Sequence, residues 1–184
     1  MKAINLLPLG SVDRTLLQRL GSPLRETFSS QVEVRDGCAD IRLFLDPVRM
    51  QYHSTQIILH VSRLRAEGRY GMTNGHGDKI LAVIGEDLFV PVLTYVFGEA
   101  QLEGDTAVVS YHRLQNEMYG LPPDPELLFQ RLLKEAVHEL GHTCGLVHCL
   151  TQECVMHTST YVEDIDLKGW RFCSSCTEIL RSRG

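Results

Sequence analysis

The sequence predicts an α+β fold: a mixed sheet with N-terminal helices, then a long helix carrying metal-ligand residues, then a small cysteine-rich C-terminal subdomain. Three observations predict it. Strand-like and helix-like runs alternate up to about residue 114, one long and well-capped helical pattern follows, and beyond Gly145 regular patterning thins while cysteines concentrate.

"AINLLPL" (3–9) reads as a first strand. In "VDRTLLQRLGSPLRETFS" (12–29), Leu16, Leu17, Leu20, Leu24 and Phe28 recur at helical spacing, with Ser11 or Asp13 near the start. "QVEVRD" (31–36) alternates as a second strand, and "STQIILHVSRLRA" (54–66) gives a second helix. "KILAVIG" (79–85) is a continuous apolar run, as expected of a strand covered on both faces. "YVFGEAQLEGDTAVVSYHRL" supplies two more strands turning at Gly104-Asp105, for four or five in all. The long helix follows in "PPDPELLFQRLLKEAVHELGHTCG". Asp124 can cap it, Pro125 suits its first turn, and Phe129, Leu133, Ala136, Val137, Leu140 and Cys144 form its apolar stripe. The tail is loop-like until "CTEILRSRG". We read residues 1–184 as one domain, with an α/β part (1–145) and a cysteine-rich part (146–184).

Composition excludes several function classes. With 184 residues, 43% hydrophobic and 22% charged, the chain can bury a core of its own. A net charge of −5 and the absence of a Lys/Arg tract argue against nucleic-acid binding. No run approaches the ~20 apolar residues of a membrane span, and the N-terminus does not resemble a signal peptide. The expected setting is the cytoplasm, where clustered cysteines bind metal more often than they form disulfides. Five of the six cysteines (Cys144, Cys149, Cys154, Cys173, Cys176) lie close together at the C-terminal end, and Cys38 stands apart.

The chemistry is concentrated in "HELGHTCGLVHCLTQECVM", His138 to Met156. His138 and His142 are one helical turn apart, so both imidazoles leave the same face and suit one zinc with Zn–N bonds of about 2.0–2.1 Å. Glu139 lies ~100° further round, off the ligand set but able to take a proton from zinc-bound water. Gly145 can end the helix with a turn only glycine takes readily, which brings His148 back as a third nitrogen. Three protein ligands leave a fourth position open for reaction. With the glycine and third histidine, HExxHxxGxxH is the metzincin motif. Cys173-x2-Cys176 and Cys149-x4-Cys154 are two further ligand pairs with zinc-knuckle spacing. Cys144, ~200° round the helix from His142, belongs to the apolar stripe, and Cys38 reads as an ordinary buried or loop thiol. His53, His60, His76 and His112 show no ligand spacing.

HELGHTCGLVH, followed by Cys149, Cys154, Val155-Met156 and Cys173-Ser174-Ser175-Cys176, resembles the archaemetzincins, a metzincin family of zinc metallopeptidases. Sixteen residues separate Met156 from Cys173, about one fewer than the family pattern, a difference a loop absorbs. The resemblance implies a metzincin-like twisted mixed sheet with a zinc-stabilised C-terminal subdomain. It also implies two zinc ions per chain: a catalytic one on His138, His142 and His148, with Glu139 as general base, and a structural one on Cys149, Cys154, Cys173 and Cys176. Met156 would be the Met-turn residue beneath the catalytic metal. Thr158 stands where some metzincins carry an oxyanion-stabilising Tyr, so Tyr161 and His157 become the nearby candidates.

The expected function is hydrolysis of peptide bonds in a peptide or protein substrate lying along an exposed sheet edge, for which "TYVFGEAQL" is the candidate. The alternative is a zinc-binding regulatory or peptide-binding protein with little turnover. Substrate preference, endo- or exopeptidase action and oligomeric state have no signature in the sequence.

Overall fold

The structure, a computed structural model, describes residues 1–36, 39–71 and 77–182; Cys38 and His76 lie outside them. In chain order the elements are β1 (Ala3–Leu9), α1 (Arg14–Phe28), β2 (Gln31–Val34), β3 (Leu45–Asp46), β4 (Gln51–His53), α2 (Ser54–Ala66), β5 (Lys79–Ile84), β6 (Leu88–Phe89), β7 (Gly98–Ala100), β8 (Thr106–Ser110), α3 (Pro125–Thr143), α4 (Val162–Leu167) and α5 (Ser174–Ser182). The main sheet runs β2-β1-β5-β8-β7, with every pairing parallel except the last. It is a mixed sheet in an α+β fold, as the sequence predicts.

Alternation along the central strands explains why they read as unbroken apolar runs. Leu81 and Val83 of β5, with Ala107 and Val109 of β8, join Leu17 and Leu20 of α1 and Leu133 and Val137 of α3 in one core. Ile80, Ala82 and Ile84 point the other way, toward Ile57, Ile58 and Val61 of α2. Helices thus cover both faces, and each fully buried Leu or Ile stabilises the fold by about 1.5–3 kcal/mol. The first core also takes in Met156, Val162, Ile165 and Cys176.

Helix starts follow their caps. Asp13, rather than Ser11, caps α1 by accepting the Thr15 N–H at 2.8 Å. The Asp124 carboxylate accepts from Glu126 N and Leu127 N at 3.1 and 2.9 Å, with Pro125 in the first turn of α3. Two features depart from the sequence reading. A second small sheet, β3-β4-β6, forms from strands of two or three residues, too short to carry a periodic pattern. The tail is less loop-like than expected, because Val162–Leu167 closes into a helical turn and a half, with the Asp164 carboxylate accepting from Thr160 N and Tyr161 N at 2.8 and 2.9 Å.

For the site, the edge matters most. β7 is the last strand of the main sheet, and the turn after it is fastened to the end of α3. Glu103 N donates to His142 O at 3.0 Å, and Lys79 Nζ donates to Gly104 O and Thr143 O at 2.6 and 3.1 Å. Among the described residues, no helix is long and apolar enough to cross a membrane.

Candidate metal centre and active site

His138 and His142 leave α3 on one face, and their Nε2 atoms lie 3.1 Å apart. Two nitrogens on one tetrahedral zinc would sit about 3.3 Å apart, from bonds of about 2.0–2.1 Å. The outer nitrogen of each ring is already committed. His138 Nδ1 donates to Val155 O at 2.8 Å and His142 Nδ1 to Leu146 O at 2.7 Å. This fixes the tautomer that leaves Nε2 free to ligate and holds the ring orientation. Gly145 turns the chain at φ 87°, and His148 comes back to the pair. Its ring centroid is 5.2 Å from that of His138 and 5.0 Å from that of His142. The three residues offer ligand atoms within 4.8 Å of one another. Burial above all lowers the proton affinity of all three imidazoles, most strongly at His138, where Lys168 adds to it. Neutral imidazole is the ligating form.

Glu139 is 5% exposed, and burial pushes its carboxyl well above the ordinary range, with Glu135 adding to the effect. Edge strand β7 passes directly over it. A Cβ at Gly98 would lie 2.7 Å from Glu139 Cγ and Oε1, so only glycine allows this approach. Met156 is fully buried under the helix, and a Cβ at Gly141 would lie 2.5 Å from its sulfur. The position of Met156 therefore depends on the glycine between His138 and His142.

The second cluster is separate. Cys149, Cys154, Cys173 and Cys176 bring their sulfurs within 4.8 Å of one another, with Cys149–Cys173 at 3.8 Å and Cys154–Cys176 at 3.7 Å. A disulfide needs about 2.05 Å, whereas sulfurs around one tetrahedral zinc at about 2.3 Å sit about 3.8 Å apart. Cys173 stands just before α5, where a hydrogen bond from the Cys176 N–H is the main cause that draws its thiol down to about 7. Burial pushes Cys154 and Cys176 upward. Cys149 is tied to the Met156–His157 segment on both sides: its N–H donates to Met156 O at 2.9 Å, and its carbonyl accepts from His157 Nδ1 at 2.9 Å. That bond commits His157 Nδ1 to the backbone, while Tyr161, the other candidate, lines the cavity beside Glu139, as does Thr158. Cys144 joins neither cluster; it is half-buried at the end of α3 against the first core.

One buried pair was missed by sequence reasoning. Lys168 Nζ lies 2.9 Å from Glu135 Oε1, with both side chains 5% exposed or less, and the ammonium also donates to His157 O at 3.2 Å. Glu135 had a signal, standing three residues before His138 on the ligand-bearing face of α3. Lys168 had none.

Two cavities adjoin the histidines. One of about 490 Å³ is lined by Tyr95, Phe97, Glu135, Glu139 and Ser159, and one of about 390 Å³ by Ala100, Leu102, His142 and Val147. A larger one, about 680 Å³, lies at the C-terminal end of α3 by Lys79 and Cys144 and is lined by none of the clustered histidines or cysteines.

Two histidines on a helix, a third returned to them by the turn after it, and the antiparallel edge strand of a mixed sheet crossing that helix define a zinc metallopeptidase of the metzincin type. The sequence profile described as Peptidase family M54 matches residues 32–182, and the chain belongs to that family. It is 36% identical to the archaemetzincin of Methanocaldococcus jannaschii, over 96% of this chain and 92% of the relative. A crystal structure of a zinc-dependent peptidase from Methanocorpusculum labreanum superposes with a TM-score of 0.88 at 31% identity, covering 96% of this chain and 99% of that one. The crystal structure of the archaemetzincin from Methanopyrus kandleri gives 0.82 at 33% identity, with 99% and 94% covered. The resemblance drawn from the motifs in His138 to Cys176 agrees with these matches.

Proposed function

We propose that this zinc metallopeptidase hydrolyses peptide bonds with His138, His142 and His148 as ligands of one zinc, Glu139 as general base, and Cys149, Cys154, Cys173 and Cys176 as ligands of a second, structural zinc. The observation that carries the reading is the division of labour on α3: imidazoles whose outer nitrogens are spent on carbonyls, beside a buried carboxylate that ligates nothing. Zinc at the histidines supplies a Lewis acid for the scissile carbonyl and makes water a better nucleophile near neutral pH. Glu139 takes the proton from the attacking water and passes it to the leaving amine. Its raised proton affinity suits both halves of that task. The substrate backbone pairs with the free side of β7, which brings the scissile bond over Glu139. Met156 floors the metal site, and the part from residue 146 onward serves the same catalytic unit. Four free thiols at metal-ligand spacing suit a reducing compartment such as the cytoplasm.

A peptide-library digestion by zinc-loaded protein, read by mass spectrometry, tests this. Glu139→Gln should keep its zinc and lose hydrolysis by ~10²-fold or more, the scale of a positioned general base. Cleavage by the variant at the parent rate would contradict the assignment. Peptide binding without turnover in both proteins would favour the regulatory alternative.

A further inference from the structure

The strand on which the peptidase reading lays the substrate is short: β7 consists of Gly98, Glu99 and Ala100. Ser110 N donates to Phe97 O at 2.8 Å and Gln101 N to Thr106 O at 3.0 Å, on either side of the Glu99↔Val108 pair. Bonded pairs alternate along an antiparallel ladder, so Glu99 spends its main chain on Val108. Gly98 and Ala100 therefore turn their N–H and C=O groups to the free edge. Side chains alternate as well. Gly98 lies against Glu139 and lines both cavities beside the histidines, and Ala100 lines one of them. Glu99 points the other way, toward α2, where its carboxylate accepts from the Thr55 hydroxyl at 2.8 Å and from the Ser54 hydroxyl. Ser54 is fully buried, and its Oγ also lies 3.0 Å from the carbonyl of Phe89, the last residue of β6. One hydroxyl thus joins both ends of segment 90–97, in which Leu93 to Phe97 line the cleft.

We infer that Glu99 is a positioning residue for the substrate, a tether on the far face of β7 that sets the height of this strand over Glu139. The inference rests on the peptidase reading of the site. An edge strand is laddered on one side only, and Gly98 and Ala100 offer no side chain long enough to hold it. Within β7 that reach belongs to Glu99. The tolerance is small. A Cβ at Gly98 would lie 2.7 Å from Glu139 Cγ, so the strand cannot sink without meeting that side chain. If it rises, the peptide paired with it leaves the reaction centre, and a misplacement of about 1 Å can cost ~10²-fold in rate. Glu99 acts through the main chain of its two neighbours, not by contact with the reacting atoms.

The test uses zinc-loaded full chain and alanine-based peptides of graded length, from a blocked dipeptide to chains that lie along the whole of β7. In the parent, kcat/KM should rise with length as main-chain pairs form. Glu99→Ala should remove most of that gain, the longest peptide losing about tenfold more than the dipeptide. Glu99→Gln should restore it, because the amide carbonyl can accept from Thr55 and the amide N–H can donate to Ser54 Oγ. A general loosening of the fold would instead lower all lengths alike. Thr55→Val removes one donor to the tether from α2 without altering β7, and should lose part of the gain. A parent-like gain with length in both Glu99→Ala and Thr55→Val would overturn the tether and leave the peptidase reading standing. Calorimetry of the same peptides on Glu139→Gln makes the comparison without turnover. Affinity that grows with length for Glu139→Gln, but not for Glu99→Ala/Glu139→Gln, supports the tether even where no peptide is hydrolysed, and equal growth in both overturns it.

Discussion

The three-histidine and four-cysteine clusters come from one short run of chain, and His148 and Cys149 are neighbours divided between them. They hold their ligands by opposite means. The cysteine cluster closes on itself, with sulfurs on four sides and paired across at 3.7–3.8 Å. The histidine cluster offers only three donor atoms and opens on two cavities, so it is not closed on itself. Its support comes from outside: the Val155 and Leu146 carbonyls on the imidazoles, Met156 beneath, and the turn after β7 docked on His142 O. An open site needs a rigid surround, whereas a closed one supplies its own.

The largest expected effect lies in that surround. Lys168→Met removes the counter-charge of Glu135 one turn from the ligands. Breaking a buried ion pair on one side costs about 3–5 kcal/mol, so chemical denaturation should find the variant destabilised by that order. The double variant Lys168→Met/Glu135→Leu should recover much of the loss. A loss below about 1 kcal/mol, the value of an exposed pair, would mean that the pair is not buried as the structure has it.

Next is the link between the clusters. The Cα atoms of His148 and Cys149 are ~3.8 Å apart, and Cys149 is fastened to Met156 O and His157. We propose that the cysteine cluster acts as a clamp that delivers His148 to the other two histidines. Cys173→Ser touches no histidine, but it should weaken zinc binding at the three-histidine site by ~10–100-fold, the scale of lost outer support. Competition with a chelator measures this on folded variant, and unchanged affinity would confine the cysteine metal to the C-terminal fold.

The smallest effect concerns the edge strand. Burial alone would raise the Asp105 carboxyl, but hydrogen bonds from Lys79 and Arg65 outweigh it and hold it below its ordinary value. The Arg65 and Lys79 contacts, at 2.7 and 3.2 Å, brace the turn after β7. Because the folded-state value is lowered, the stabilisation is complete above the unfolded value of about 3.9 and fades as pH falls through the folded one. Asp105→Asn should cost less than about 1 kcal/mol near pH 7, and the gap to the parent should close in acid, as pH falls through the lowered folded-state value. A gap that persists in acid would assign the effect to packing instead.

The comparison also explains what could be read from the sequence. Both clusters were legible because metal-ligand spacings are short and regular: His138 and His142 four apart on a helix, and two or four residues between the cysteines of each sequence pair. β1, β5 and α3 were legible because they are long and either wholly apolar or well capped. The external support was not. Val155 O and Leu146 O are backbone atoms that any residue would provide. Gly98 and Gly141 are needed only because Glu139 and Met156 come within a bond length or two of where a Cβ would stand, and that closeness exists only after folding. Lys168, thirty-three positions beyond Glu135, reads in sequence as one more surface lysine.

The central claim is that neighbouring residues serve two metals, one open and one closed. Metal analysis of the purified protein before and after brief chelation tests it most directly, with X-ray absorption on the metal that remains. The account predicts two zincs per chain, loss of one together with hydrolysis, and retention of a second with sulfur neighbours at about 2.3 Å. A single zinc per chain, or two that leave together, would contradict it.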